Sequence, residues 1–462
     1  MATTDRTVRG ANGSSEAFNK LRQSMRGAVI TPTDPEYEGA RRVWNGTIDK
    51  RPAVIATCHG VSDVIEAVNF ARTHGLRASV RGGGHNVAGT AVDEGGLMVD
   101  LSGLNSVHVN PAARRVRAGG GARLGDLDRE SQVFGLAVPS GLVADTGVAG
   151  LTLGGGLGWM RRKYGLGCDN LVSVDVVTAD GRALTASAQE NTDLFWALRG
   201  GGGGFGVVTS FEFRAYPLGP DVFLGFVFYP FDKAREALQF FREYTDHAPE
   251  EVGLIAVCMT TPEGEPIPEN ARGQKAVGFA APYIGPPDEG ERVLRPVREF
   301  STPLADLSGV MPWTSVQRMF DEDYPTGRRY YWKSAYLKGL DDATIDRIVK
   351  YGSESPSPLS TIDIWHLGGA ISRPREETAA AHRDAPYLLG FESNWDDPAQ
   401  DETNVGWTRR SWDDVQPFST GGMYVNFPGY AEDRTFDRLA FGDSLERLEV
   451  IKRKYDPTGL FA

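Results

Sequence analysis

Cysteine is scarce. The 462 residues hold three, Cys58, Cys168 and Cys258, too widely spaced for a disulfide framework or a metal cluster. No run of eighteen apolar residues occurs, so no membrane-spanning helix is expected. The opening Met1-Ala2-Thr3-Thr4-Asp5-Arg6 has no apolar stretch; no secretory signal is expected, and the expectation is a cytoplasmic protein. Positive charge is in deficit, with 49 Lys and Arg against 61 Asp and Glu. The formal charge of −12 repels phosphate backbones, which argues against nucleic acid as a partner. Of the seven histidines, those at 59, 74, 108, 247, 366 and 382 show no ligand spacing, so no metal site is expected. A P-loop is missing, as are H-E-x-x-H and a G-x-S-x-G elbow.

Glycine is abundant, at 56 residues, and apolar residues make up 40%, enough for a sizeable core. Strand and helix signals alternate through the first half. Val61-Ser62-Asp63 opens a helix with Ser62 as its expected cap, ended by His74-Gly75. Val172 to Thr178 and Ala183 to Ser187 flank Asp180-Gly181, a hairpin signature. After Pro217-Leu218-Gly219-Pro220 the long glycine runs stop, and aromatics and prolines take over. The chain therefore divides into a polar tail (1–25), a first domain (26–217, with an internal break near 110–115), an α+β second domain (218–420) and a C-terminal segment (421–462) with an amphipathic helix from Leu445.

Glycine clusters at 82–84, 119–121, 154–158, 165–167 and 200–204 sit at strand and helix ends. Such loops bring successive N–H groups close to a ligand, and several in one domain point to a long anionic one such as a dinucleotide. The alternative is small residues that merely let sheets pack. Gly201, Gly203 and Gly206 satisfy G-x-G-x-x-G, but a helix precedes and a strand follows, the reverse of a Rossmann loop. His85 ends the loop Arg81-Gly82-Gly83-Gly84-His85-Asn86, where a histidine can act as acid/base, metal ligand or nucleophile, or simply bond to nearby backbone.

Six ordered motifs carry a resemblance. Arg81-Gly82-Gly83-Gly84-His85 resembles the R-[SG]-G-G-H loop of the vanillyl-alcohol oxidase and p-cresol methylhydroxylase superfamily. Its second signature is similar to Gly147-Val148-Ala149-Gly150-Leu151-Thr152-Leu153-Gly154. Tyr164-Gly165-Leu166-Gly167-Cys168-Asp169-Asn170, Asp193 to Gly200, Tyr424-Val425-Asn426-Phe427 and Lys454-Tyr455-Asp456-Pro457 resemble the berberine-bridge-enzyme-like branch, and bacterial members such as the 6-hydroxy-D-nicotine oxidase group look nearest. The resemblance implies an α+β fold: a bipartite FAD-binding domain plus a substrate domain with a large antiparallel sheet backed by helices. It implies FAD bound covalently through His85, with contacts at Arg81, Gly82, Gly83, Gly84, Asn86, Gly89, Thr146, Gly147, Gly150, Gly154, Val208 and Asn426. Many members add a cysteinyl bond; Val143 stands at that position, so single attachment is expected. Thr146 matches the site lining the oxygen path, where a small residue goes with oxidase behaviour.

The expected activity is an FAD-dependent oxidase. It takes a hydride from a small or medium organic substrate (alcohol, amine or activated C–H) and passes electrons to O2, giving hydrogen peroxide. A dehydrogenase with another acceptor, or a flavin-binding protein without turnover, are the rivals. In the strand from Thr361, residues 361, 363 and 365 share a face. Asp363 is the expected base and Trp365 a stacking wall; the alternative for Asp363 is a structural bond or an exposed edge. Tyr424 and Asn426 also line the expected site, whereas Phe427 replaces a tyrosine that serves as base in many sugar- and alcohol-oxidising members. Relatives usually continue beyond Leu460-Phe461-Ala462 with a polar tail. A monomer or homodimer is expected.

Overall fold

The computed structural model describes residues 14–373, 377–430 and 436–461. The fold is α+β, built mainly on three sheets. The first holds Val29–Ile30, Val54–Thr57, Leu97–Asp100 and Ala78–Arg81 in that order, the last three parallel. The helix Val61–His74 provides the crossover and stops where Gly75 turns left-handed at φ 67°. It starts before Ser62, and Gly60, not Ser62, occupies the capping position.

In its described part the polar tail expected over 1–25 holds a helix, Ser14–Ser24. Residues 1–13 of that expectation lie outside the described residues. Phe18, Leu21 and Met25 recur at spacings of three and four, giving one apolar face within polar text. Leu21 and Met25 are buried, and the Phe18 ring sits 5.7 Å from that of Phe70.

The second sheet is antiparallel, in the order Val107–Asn110, Arg115–Gly119, Val207–Arg214, Leu171–Val177, Ala183–Ser187. The hairpin turn falls at Gly181, with φ 81°. The third sheet has eight strands and is antiparallel, and it includes Asp221–Pro230, Lys275–Pro282, Ile255–Thr260, Thr361–His366, Tyr387–Trp395 and Arg329–Leu337. Its faces separate cleanly. Phe223, Val227 and Tyr229 pack with Phe241, Ile345 and Trp407 of the backing helices, whereas Leu224, Phe226 and Phe228 face a cavity. The C-terminal helix Leu445–Tyr455 returns to the second sheet's core, burying Leu448 and Ile451 with Trp196 and Phe205. No helix among the described residues is long and apolar enough to cross a membrane.

Two buried arginines stitch the glycine-rich half to the large sheet. Arg161 gives Nε to the His366 carbonyl at 2.8 Å, Nη2 to Leu254 at 2.6 Å and Nη1 to Gly158 at 3.0 Å. Arg162 bonds the carbonyls of Leu367 and Pro249. The Leu254 and Gly158 carbonyls also accept from the His366 and Arg161 backbone nitrogens, so Arg161→Ala strands the His366 carbonyl and should destabilise the protein by about 1–3 kcal/mol. Thermal unfolding of the purified variant checks this; an unchanged midpoint would remove Arg161 from the interface argument.

Candidate functional site

One cavity of about 1600 Å³ lies between the glycine loops and the open face of the eight-stranded sheet. That exceeds the roughly 300–1,000 Å³ of an ordinary small-molecule site and leaves room for a cofactor and a substrate together. On one side it is lined by Gly82, Gly83, Gly84, His85 and Asn86, by Thr146, Gly147, Gly150 and Gly154, and by Val208. On the other side stand Asp363, Trp365 and Glu392, with Tyr424, Asn426 and Phe427 at the seam.

The glycine loops meet backbone to backbone. A side-chain carbon at Gly83 would lie 2.3 Å from the Gly147 nitrogen, and one at Gly147 would lie 2.3 Å from the Gly83 nitrogen. Neither neighbour is a flexible side chain that can give way. At Gly150 the space is open, so a side chain there would project into the cavity. Close backbone approach with an unobstructed cavity wall fits a long anionic cofactor such as FAD. Gly83→Ala should therefore part the two loops, and the purified variant should lose most of its flavin absorbance per protein; full retention would refute the cradle.

His85 is held by three neighbours on the cavity wall. Its ring stacks on Trp44, centroids 5.0 Å apart, and Trp44 stacks in turn on Tyr330 at 3.7 Å. Nε2 lies 3.2 Å from Asp145 Oδ2, and Nδ1 lies 3.4 Å from the Thr146 hydroxyl. Burial, with Arg123 nearby, pulls the imidazole pKa down to about 3, so the ring is neutral at physiological pH. A neutral imidazole keeps a lone pair and is a nucleophile.

Asp363 is buried on the cavity face, with Thr361 and Trp365 beside it and Ile362 and Ile364 turned to the helices. Its Oδ1 has no hydrogen-bond partner. The neighbouring strand brings up Glu392, paired across the ladder with Thr361, while Gly390 pairs with Asp363. A side-chain carbon at Gly390 would meet Glu392 Oε1 at 3.5 Å and Asp363 Cβ at 3.8 Å, so both carboxyl groups crowd over that glycine. The buried Tyr324 hydroxyl donates to Glu392 Oε2 at 2.9 Å. Burial drives the Asp363 pKa up to about 7, and burial plus the Asp363 charge drives Glu392 well above the usual carboxylate range. Burial of two neighbouring carboxyl groups thus favours a shared proton on the pair.

Other sequence-derived site residues are placed differently. Arg81 does not line the cavity: it pairs with Asp100 at 2.8 Å and with the Ala40 and Arg42 carbonyls. Gly89 also lies off the cavity, packed on Ile48 with φ 67°. The Tyr424 hydroxyl is engaged, accepting from the Gly156 and Leu157 nitrogens at 3.2 Å each and from Asn426 Nδ2 at 2.9 Å. That network braces the 154–158 loop, where a side-chain carbon at Gly154 would meet Asn426 Oδ1 at 2.2 Å. Trp365 lines the cavity, but Arg161 lies 5.2 Å over its ring, so that face is not open to substrate. His366 points away, as its even position requires. Glu392, Tyr324, Trp44, Tyr330 and Asp145 are the contributors that sequence reasoning omits. Among the described residues no group of His, Cys, Asp and Glu could hold a metal ion.

Glycine-loop cradle, neutral histidine and buried acid on the facing sheet define a flavin-dependent oxidoreductase with two-domain FAD architecture. Comparison with known proteins agrees. The FAD binding domain family matches residues 52–187, and the family described as berberine and berberine like matches residues 423–462. An FAD-linked oxidoreductase of Dictyostelium discoideum is 30% identical over 453 residues, 97% of this chain and 96% of that one. The (R)-6-hydroxynicotine oxidase of Paenarthrobacter nicotinovorans is 30% identical over 454 residues, 95% of this chain and 96% of that one. The crystal structure of 6-hydroxy-D-nicotine oxidase from Arthrobacter nicotinovorans superposes with a TM-score of 0.85 at 27% identity, covering 95% of this chain and 97% of that one. The chain belongs to the berberine-bridge-enzyme-like FAD-linked oxidases of the vanillyl-alcohol oxidase and p-cresol methylhydroxylase superfamily. It is an FAD-linked oxidoreductase.

Proposed function

We propose that this enzyme oxidises a small or medium organic molecule at a C–O, C–N or activated C–H bond, with Asp363 as base and a single covalent flavin link through His85. The observation that carries the reading is the buried Asp363–Glu392 pair on the wall of the cavity that His85 also lines. Bound FAD supplies the hydride acceptor and the route for electrons to O2. The chain's own residues do the rest. Glu392 is held by the Tyr324 hydroxyl, whereas Asp363 Oδ1 has no hydrogen-bond partner and is able to accept a proton from substrate. Phe226, Phe228, Trp332 and Phe427 line the same space and favour a substrate with apolar surface. Phe427 offers no proton acceptor, which further concentrates the acid–base work on Asp363. Val143 lines the cavity without a thiol, which supports attachment through histidine alone. Thr146, beside His85, leaves a small side chain at the proposed oxygen path.

Anaerobic mixing with a panel of alcohols, amines and activated C–H compounds tests this. A substrate should bleach the flavin, and admitting air should restore the colour with one hydrogen peroxide per turnover. Bleaching that air does not reverse would point to another acceptor. Failure of the whole panel to bleach would favour a flavin-binding protein without turnover.

A further inference from the structure

The partners of His85 carry a step beyond its role as attachment point. We propose that Asp145, braced by Arg123, is the positioning residue for flavin attachment: it binds Nε2–H and so leaves the Nδ1 lone pair as the attacking atom. This rests on the covalent link proposed above.

An ionised carboxylate only accepts, so the 3.2 Å contact from Asp145 Oδ2 places the ring hydrogen on Nε2. The Thr146 hydroxyl, at 3.4 Å, is then the donor to Nδ1, through a long bond that is easily surrendered. Trp44 fixes the ring plane. Attack through Nε2 would have to displace Asp145.

The position of Asp145 is built in. The residues on either side of it accept from the first turn of the helix Leu124–Gln132: the Leu124 nitrogen donates to the Thr146 carbonyl, and the Gly125 nitrogen to the Ala144 carbonyl, both at 2.9 Å. The Ala144 nitrogen donates to Asp321 Oδ1 at 2.7 Å. Arg123, at the start of that helix, forms an ion pair with Asp145 Oδ1. One oxygen thus faces the arginine and the other the imidazole, the arrangement that sets a histidine's tautomer in hydrolytic triads.

The step balances. The Nδ1–8α carbon bond forms and one 8α C–H bond breaks. Two electrons remain on the isoalloxazine and pass to O2. The 8α proton and the Nε2 proton, the latter through Asp145, complete hydrogen peroxide.

The test uses the full-length chain made in riboflavin-starved cells and then mixed with FAD. Wild type, Asp145→Ala, Asp145→Asn and His85→Ala are sampled over time for acid-stable in-gel flavin fluorescence, with non-covalent uptake read from fluorescence quenching. Removing a group that manages a transferring proton costs about 10²–10⁴-fold, so Asp145→Ala should attach flavin at least about 10²-fold more slowly while still taking up FAD. Formate should restore part of that rate in Asp145→Ala and chloride should not, a response a merely structural residue would not give. Asp145→Asn keeps the shape and should also be slow. Attachment at the wild-type rate in Asp145→Asn, or no response to formate in Asp145→Ala, would overturn the proposal. Absence of an acid-stable band in wild type itself would instead sink the covalent reading on which it rests.

Discussion

Asp363→Asn should slow substrate-driven flavin reduction about 10²–10⁴-fold, the usual loss when a positioned base is removed. Asparagine keeps the shape of the side chain but cannot take a proton, so cavity volume and FAD content should stay at wild-type levels. The same substitution should stabilise the protein above neutral pH. Burial raises the Asp363 pKa from the ordinary 3.8 to about 7. Between those values the native state holds a proton that the unfolded chain has released. Stability therefore falls as pH rises through that window, and the penalty is complete above about 7. Asparagine has no such term. Its thermal midpoint should exceed the wild-type value at alkaline pH, and the gap should close as pH falls towards 4. Activity and stability would then move in opposite directions at one residue, as expected where burial of an acid serves chemistry. Stopped-flow reduction beside thermal melts at several pH values measures both. Undiminished reduction would transfer the base to another group; an unchanged pH profile of stability would mean Asp363 is not the buried titrating acid.

What the sequence discloses about this site follows from the range of each interaction. Asp363 stands out because an acid interrupts a short apolar alternation, and alternation alone fixes its face. Glu392 obeys the same rule two residues after Gly390, yet all nine residues of Tyr387–Trp395 are buried, so the alternation of exposure is lost. Its signal is an acid inside an apolar run; its meaning appears only when register sets it across from Thr361. Trp44 and Tyr330 are far apart in the chain, and nothing local announces that they stack behind His85. Arg81 and Gly89 lie off the cavity for the opposite reason. They lie within or just after a ligand-binding loop, but Arg81 has a carboxylate partner in Asp100 and Gly89 serves a turn against Ile48. Motif adjacency selects the loop, whereas side-chain direction selects the residue. The tail helix shows the limit of composition: polar text conceals Phe18, Leu21 and Met25 on one face, and tertiary packing supplies what propensity lacks.

His85→Ala should abolish acid-stable flavin altogether. The proposed attachment is through histidine alone, with no thiol at Val143, so one residue would carry the whole covalent load and no partial retention is expected. Non-covalent FAD should persist, because the backbone contact of Gly83 with Gly147 and the open wall at Gly150 owe nothing to the imidazole. Removing the ring also strips Trp44 of one stacking partner, a loss of about 1 kcal/mol that leaves the Tyr330 stack in place. The variant should therefore fold, stay yellow when native, and give a colourless pellet under a yellow supernatant after acid precipitation, where wild type gives a yellow, fluorescent pellet. A fluorescent band surviving in the variant would place the link elsewhere on the chain. A colourless wild-type pellet would leave the FAD cradle intact and remove the bond. The proposed 8α bond puts an electron-withdrawing imidazole on the flavin and should raise its potential, so the variant's flavin should also accept a hydride less readily. Reduction by the same substrate should slow even at full FAD occupancy, which separates the electronic role of His85 from mere retention of the cofactor.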